Sequence, residues 1–278
     1  MRRKPHAGRR LHGRPDGHPW RRNDHDPAEL ARALVAGRVA GPETSHDRRN
    51  VRWKIERLCE GDPDLQFGIR GLAGSDPDEV LRLMADAAGF DPDPDLWDGP
   101  TPVDPWKVLA ACDGAGERLA LAAEQGERVL LATGHPAGLP LLYAATGELL
   151  VEHGAKLLRP LDGESWREDG SHREIRYFHG VAALTSRAHP LHTHRPEPMQ
   201  RLLEDVTPDL VFADHGFAGA AIDAGIDTIS IVDVNDPAPV VARALGRTEH
   251  VIAMDDNVRP EAYWPCFQAI AARFPAVD

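Results

Sequence analysis

VLLATGHPAG, from Val129 to Gly138, is an apolar run that enters a glycine turn. Val129 to Ala132 read as a buried strand, Thr133 to Pro136 as the turn, and Ala137 to His153 as a helix. Strand, glycine turn and helix in that order present a polar ligand to backbone N–H groups at a helix N-terminus. Three later stretches repeat the layout with acids at the turn. LVFADHG reaches Asp214 and His215, TISIVDVNDP reaches Asp233, Asn235 and Asp236, and VIAMDDN reaches Asp255, Asp256 and Asn257. As neighbouring parallel strands, these runs bring four polar clusters to one sheet edge, the expected active site.

Working outward, the chain from residue 209 alternates strand and helix, with strands expected near 210–213, 227–232 and 250–254. Upstream, Trp106 to Gln125 reads as a helix. Downstream, Lys156 to Arg159 reads as a strand and residues 161–172 as an acidic loop. Glu174–Phe178 and Val181–Thr185 form a strand pair or one bent strand around His179 and Gly180, and Pro196 opens a helix to Val206. Such alternation implies parallel strands with right-handed crossovers. The expected fold is α/β: a three-layer, doubly wound, mostly parallel, Rossmann-like sheet over residues 101–278.

Residues 27–100 read as a helical extension and linker. One helix starts at Asp26 with Leu30, Leu34 and Val35 as its stripe, and a second follows Ser45 as cap, with Val51, Trp53, Ile55 and Leu58 apolar. The second helix also carries Arg48, Arg49, Arg52, Lys54 and Arg57, which could meet an anionic substrate but are read as a solvated face. A third helix spans Asp76 to Ala88, before the turn-rich DPDPDLWDGPTPVDP. Residues 1–26, rich in Arg, Gly, Pro and His, read as a disordered basic tail. His6, His12, His18 and His25 within it are read as solvated, not as a metal trap.

The formal charge is −12, yet the first 22 residues hold eight Lys or Arg and one Asp. The remaining body has 24 basic and 43 acidic side chains, a net of −19. An acidic body argues against nucleic acid as partner and suits a divalent cation that offsets clustered carboxylates. Cys59, Cys112 and Cys266 are an odd set, as in a reduced cytosol. With neither a span-length apolar run nor a signal-peptide pattern, the expectation is a cytoplasmic protein that avoids membranes.

Asp214 and His215 at a strand end supply a metal-ligand pair, or a base with its orienting group. Asp233, Asn235 and Asp236 offer the oxygen donors that Mg²⁺ or Mn²⁺ prefers, and Asp256 is a further candidate because adjacent buried carboxylates need a counterion. Thr133, Gly134 and Gly138 are residue types that allow a phosphate to approach the backbone closely, and His135 beside them could move a proton. His192 and His194 alternate along an extended loop, so that one of the two reaches a given site. His179 is a comparable substrate-binding candidate. Cys112 and Arg118 fit the C-x5-R spacing of cysteine phosphatases, but Asp113 and Glu117 would repel a phosphate, and the stretch reads as helix. P-loop, dinucleotide and nucleophile-elbow motifs do not occur.

ATGHPAGL at 132–139, HTHRP at 192–196, ADHGFAGAAI at 213–222, DVNDPA at 233–238 and MDDN at 254–257 together resemble an actinobacterial family of phosphatases. The resemblance covers residues 105–274 and implies hydrolysis of a phosphate monoester. Chemistry then suggests a metal-dependent phosphatase for a small soluble substrate. Asp214, Asp233, Asn235, Asp236 and Asp256 would hold Mg²⁺ or Mn²⁺, while His135 or His215 moves a proton. The alternatives are a non-catalytic nucleotide or sugar-phosphate binder, or an α/β transferase using a metal-bound phosphate substrate.

Overall fold

The computed structural model describes residues 22–168 and 170–276. The helices are α1 (Pro27–Ala36), α2 (Arg48–Glu60), α3 (Pro63–Gln66), α4 (Pro77–Ala88), α5 (Pro105–Glu124), α6 (Pro140–Glu152), α7 (Glu197–Asp205), α8 (His215–Asp223), α9 (Ala238–Ala244) and α10 (Trp264–Ala271). The strands are β1 (Arg128–Thr133), β2 (Lys156–Leu157), β3 (Ser165–Glu168), β4 (Ser171–Phe178), β5 (Val181–Ser186), β6 (His189–Pro190), β7 (Leu210–Asp214), β8 (Thr228–Asp233) and β9 (His250–Met254). The first five helices share one device. Asp26, Asp47, Asp62, Asp76 and Asp104 each accept a backbone N–H of the helix they open, and all but α2 then begin with proline.

The strands form a sheet in the order β3-β4-β5-β1-β7-β8-β9. From β5 through β9 the pairings are parallel, whereas β4 pairs antiparallel with both β3 and β5. Side chains of β1 alternate between two cores, as the pleat requires. Val129 and Leu131 join α5, α6 and α10 on one face, while Leu130 and Ala132 join Met199 and Leu202 of α7 and Phe217 and Ala221 of α8 on the other. The three-layer expectation therefore holds. After β1 the chain turns to the first face as α6, and after β7 it turns to the second as α8. The gap between these neighbouring strand ends is the topological switch point of the sheet.

Residues expected to form an extension share the first core. Leu30, Leu34, Ile55, Leu58 and Met84 belong to the same buried cluster as Val129 and Ile252. The packed chain also starts before Pro27, because Arg22 donates to the Phe274 carbonyl and Asn23 N–H to Gln268 of α10. Tail residues up to 21, with His6, His12 and His18, lie outside the described residues.

Three local expectations need correction, the loop at 161–172, the start of the helix after β1 and the cap of α2, whereas the strand pair around His179 and the helical reading of Cys112 hold. The acidic loop at 161–172 contains β3, a sequence too polar to read as a strand, which is carried by its backbone pairing with β4. His179 and Gly180 have φ of 50° and 88° and form a tight two-residue hairpin turn between β4 and β5. The helix after β1 begins at Pro140, not at Ala137, and the cap of α2 is Asp47, not Ser45. Cys112 is buried in α5, and Arg118 pairs with Glu127 and Asp227, so the C-x5-R spacing is part of helix packing. Among the described residues no helix is long and apolar enough to cross a membrane.

Gly216, in the first turn of α8, lets the 192–195 loop lie directly on the helix. A Cβ there would overlap the carbonyls of His194 and Arg195. Gly216→Ala should cost about 1–3 kcal/mol and push that loop away from α8. Denaturant unfolding with unchanged stability would overturn this account of the contact.

Candidate active site

Asp214 ends β7 at the switch point and is fully buried. Its Oδ1 accepts two hydrogen bonds of 2.7 Å, one from Gly134 N–H at the end of β1 and one from His215 Nδ1. Burial alone would raise the Asp214 pKa, but the bond to His215 and its charge bring it below the ordinary carboxylate value. An ionised carboxylate only accepts, so Nδ1 of His215 carries the proton and Nε2 is left to face the site. His215 has φ of 47°, a left-handed conformation unfavourable for a residue with a Cβ. That twist starts α8 at the strand end and turns the ring inward.

Four imidazoles gather around this point. His215 lies with its ring centre 4.7 Å from His194, 5.1 Å from His192 and 5.8 Å from His135. The expectation that only one of His192 and His194 could reach a site fails because residues two apart in an extended stretch lie on the same side, with the buried Thr193 on the other. Thr193 N–H donates to the Gly134 carbonyl, and Thr193 Oγ1 accepts from Arg195 N–H, which pins the loop with both rings toward His215. Burial, then the charge of His215, holds His192 and His194 down to about 4. Burial likewise lowers His135. These three rings are neutral at pH 7. Burial alone would lower His215 too, yet Asp214 and Asp236 raise it.

Carboxylates close the other side. His215 Nε2 is 3.5 Å from Asp236 Oδ2 and 3.8 Å from Asp256 Oδ2. Burial, compounded by the charges of Asp233, Asp236 and Asp214, pushes Asp256 well above the ordinary carboxylate range, and its Oδ2 has no hydrogen-bond partner. Asp236 moves the opposite way. Burial would raise it, but Lys54 and His215 pull it down. Lys54 Nζ lies 2.7 Å from Asp236 Oδ1 and 3.0 Å from Asn235 Oδ1.

Donor atoms of His192, His194 and His215, and of His215, Asp236 and Asp256, form two groups close enough to hold a cation. Nδ1 of His215 is committed to Asp214, which leaves one nitrogen common to both groups. Of the other expected ligands, Asp214 orients His215. Asp233 is engaged by His46 Nε2 at 2.8 Å and by Val234 N–H, and Asn235 by Lys54 and by Asn50. Asp255 turns away to accept from Ser45 N–H and Oγ.

Most N–H groups of the expected phosphate cradle are bonded within the protein. Gly134 N–H goes to Asp214, His135 N–H to Thr133 Oγ1, and both Gly138 and Leu139 N–H to the His135 carbonyl. The glycines serve close packing instead, since a Cβ on Gly134 would overlap the Thr193 carbonyl and one on Gly138 the His135 ring. His179 is also away from this edge. Val181 pairs with Leu131, so the preceding turn lies toward the N-terminal end of β1, opposite Gly134.

Sequence reasoning overlooked the contribution of the 45–54 segment. Ser45, His46, Asn50 and Lys54 reach Asp255, Asp233, Asn235 and Asp236 respectively. The available signal was the i, i+4 spacing of Asn50 and Lys54, which puts both on one side of α2. Ser45, His46 and Asn50 also line an open cleft of about 430 Å3 with Arg38, Glu43 and Thr44.

A family model described as Phosphatase matches residues 25–275 of this sequence. Phosphatase SCO2771 of Streptomyces coelicolor is 35% identical over 244 residues, covering 85% of this chain and 91% of its own length. The matched region includes α1 to α4 as well as the sheet, in keeping with the shared core.

In the unfolded chain, His192 and His194 titrate near 6.5, and in the fold near 4. Between those values the unfolded chain binds more protons, so acidification across the window favours unfolding. Chelator-treated protein should lose thermal stability from pH 6.5 down to about 4. A doubly substituted H192Q/H194Q protein should lose less. An identical pH slope in both proteins would contradict the neutral state of these rings.

Proposed function

Since this chain belongs to the Phosphatase family, we propose that it hydrolyses a small soluble phosphate monoester with the aid of one divalent transition-metal ion. The observation that carries the metal is the convergence of neutral or orientable imidazoles and an unpartnered buried carboxylate oxygen, Asp256 Oδ2, on His215 Nε2. Buried carboxylates this close repel unless a cation or protons intervene. His192, His194, His215, Asp236 and Asp256 are the proposed ligands. A set with three imidazoles favours Mn²⁺, Fe²⁺ or Zn²⁺ over Mg²⁺, which prefers oxygen and water.

Once bound, the ion would neutralise phosphoryl oxygens and lower the pKa of a water. Asp214 keeps the proton on His215 Nδ1 and so presents Nε2, the carboxylate–histidine arrangement common behind metal ligands. His135 is the residue left to move a proton. Its ring is neutral at pH 7, it stacks on His215, and its buried Nδ1 is unpartnered. In the reaction the water oxygen bonds to phosphorus, the ester P–O bond breaks, and the alcohol leaves with a proton as inorganic phosphate forms. The cleft beside Ser45, His46 and Asn50 is of a size that suits a small leaving group.

Phosphate release from p-nitrophenyl phosphate is the direct test. Chelation should abolish it, Mn²⁺ should restore it, and Mg²⁺ should restore much less. D256N and H215Q should lose bound metal, measured by elemental analysis, and fall at least about 100-fold in kcat. Full turnover in chelator by the wild-type protein would rule out the metal scheme.

A further inference from the structure

We propose that Lys54 is the anion-binding residue of this site, the side chain that grips a phosphoryl oxygen of the substrate and of the inorganic phosphate product. The inference rests on the phosphatase reading above and adds the group that recognises the phosphate. A phosphoryl-transfer site must place positive charge or N–H donors where the equatorial oxygens sit. The backbone turn after β1 offers little for this, because the N–H groups of Gly134, His135, Gly138 and Leu139 are bonded within the protein and a neutral N–H such as that of Ala137 brings no full charge. A full positive charge has to come from a side chain.

Lys54 has the position for this. It projects from α2 onto the ends of the sheet strands, and its side chain is 14% exposed against 3% for Asp236. Asp236 holds it through Oδ1, while the other oxygen of the same carboxylate faces His215 Nε2. The ammonium is thus one carboxylate away from the imidazole and acid cluster. An ammonium has three donors, and Asp236 and Asn235 account for two of them, which leaves one for a further acceptor. Asn50, one turn earlier on α2, fixes the Asn235 amide so that its oxygen points to Lys54. Other cations of the helix are committed elsewhere. Arg48 donates to the Asp91 carbonyl and lies over Phe90, and Arg52 lies over Trp97 beside Asp78. A compact ammonium suits a phosphate oxygen approached from one side, where a planar guanidinium would need a wider opening.

The rival account is that Lys54 only neutralises Asp236 in a crowded acidic interior. Inorganic phosphate binding separates the two, measured by calorimetry on Mn²⁺-loaded protein and as competitive inhibition of p-nitrophenyl phosphate hydrolysis. For K54A the phosphate dissociation constant and KM should each rise about ten- to a hundred-fold, the worth of one charge-assisted hydrogen bond, with Mn²⁺ content unchanged. K54R should recover part of the loss. K54Q, which keeps a donor to Asp236 without the charge, should behave as K54A and serves if K54A does not fold. Unchanged phosphate affinity in K54A or K54Q, with only a lower melting temperature, overturns the assignment while leaving the phosphatase reading intact. A wild-type protein that neither binds phosphate nor turns over the ester overturns both.

Discussion

One carboxylate oxygen joins the two halves of the sheet edge. Asp214 Oδ1 takes the Gly134 N–H from β1 and the His215 Nδ1–H from the start of α8. β1 and β7 are neighbours whose following helices leave toward opposite faces, so their ends would otherwise diverge around a gap. The buried charge is held through Oδ1, whose two hydrogen bonds are short and one of whose partners is a polarised imidazole, while Oδ2 has no hydrogen-bond partner. The left-handed backbone of His215 costs on the order of 1–3 kcal/mol, and the same hydrogen bond offsets part of it. Strain at this residue is therefore coupled to the direction in which its Nε2 points.

From that anchor the electrostatics of the site follow. Asp214, Asp233, Asp236 and Asp256 are all buried within one cluster, too many negative charges for a dry interior without compensation. Lys54 steadies Asp236, and His46, raised by Asp233 although burial opposes it, steadies Asp233. Asp256 has no such partner, and its pKa rises instead. The fold thus leaves one carboxylate in excess on the side where His192, His194 and His215 present neutral or turned nitrogens. Excess charge and available lone pairs at one point are what a divalent cation requires.

Much of this was legible in the sequence, and the reasons differ by residue. β1, β7, β8 and β9 are apolar runs whose length and polar ends, a glycine turn for β1 and acids for the others, need no tertiary knowledge, and those ends meet because parallel strands in one sheet share an edge. The Asp-Pro starts of α1, α3, α4 and α5 are equally local, although the four-residue α3 is too short to show a period. β3 was illegible because an edge strand can be polar when its neighbour supplies the pairing. Roles within the site were harder still. Thr133, Gly134 and Gly138 have the composition of a phosphate loop, yet here they serve intramolecular hydrogen bonds and close contacts, a distinction that resides in hydrogen-bond partners rather than in residue types.

The sharpest gap between sequence and structure concerns α2, and its cause is general. Five cations on one helix look like a solvated face, because sequence records charge but not the acids that fold against it. Arg49 and Arg57 do pair at the surface, with Asp98 and with Glu60 and Asp62. Lys54 lies instead on the side of the helix that carries Asn50, and that side meets the β8 end. The helix can be held there because Val51, Ile55 and Leu58 sink into the same core as the central strands. An apolar stripe thus fixes the rotation of α2, and rotation decides which cation is aimed inward. Segments before the sheet and the strand ends they cover form one unit, joined by Ser45 to Asp255, His46 to Asp233 and Lys54 to Asp236. A sheet edge that gathers this many acids needs such a cover of complementary charge, since the sheet itself supplies only the histidines to balance them.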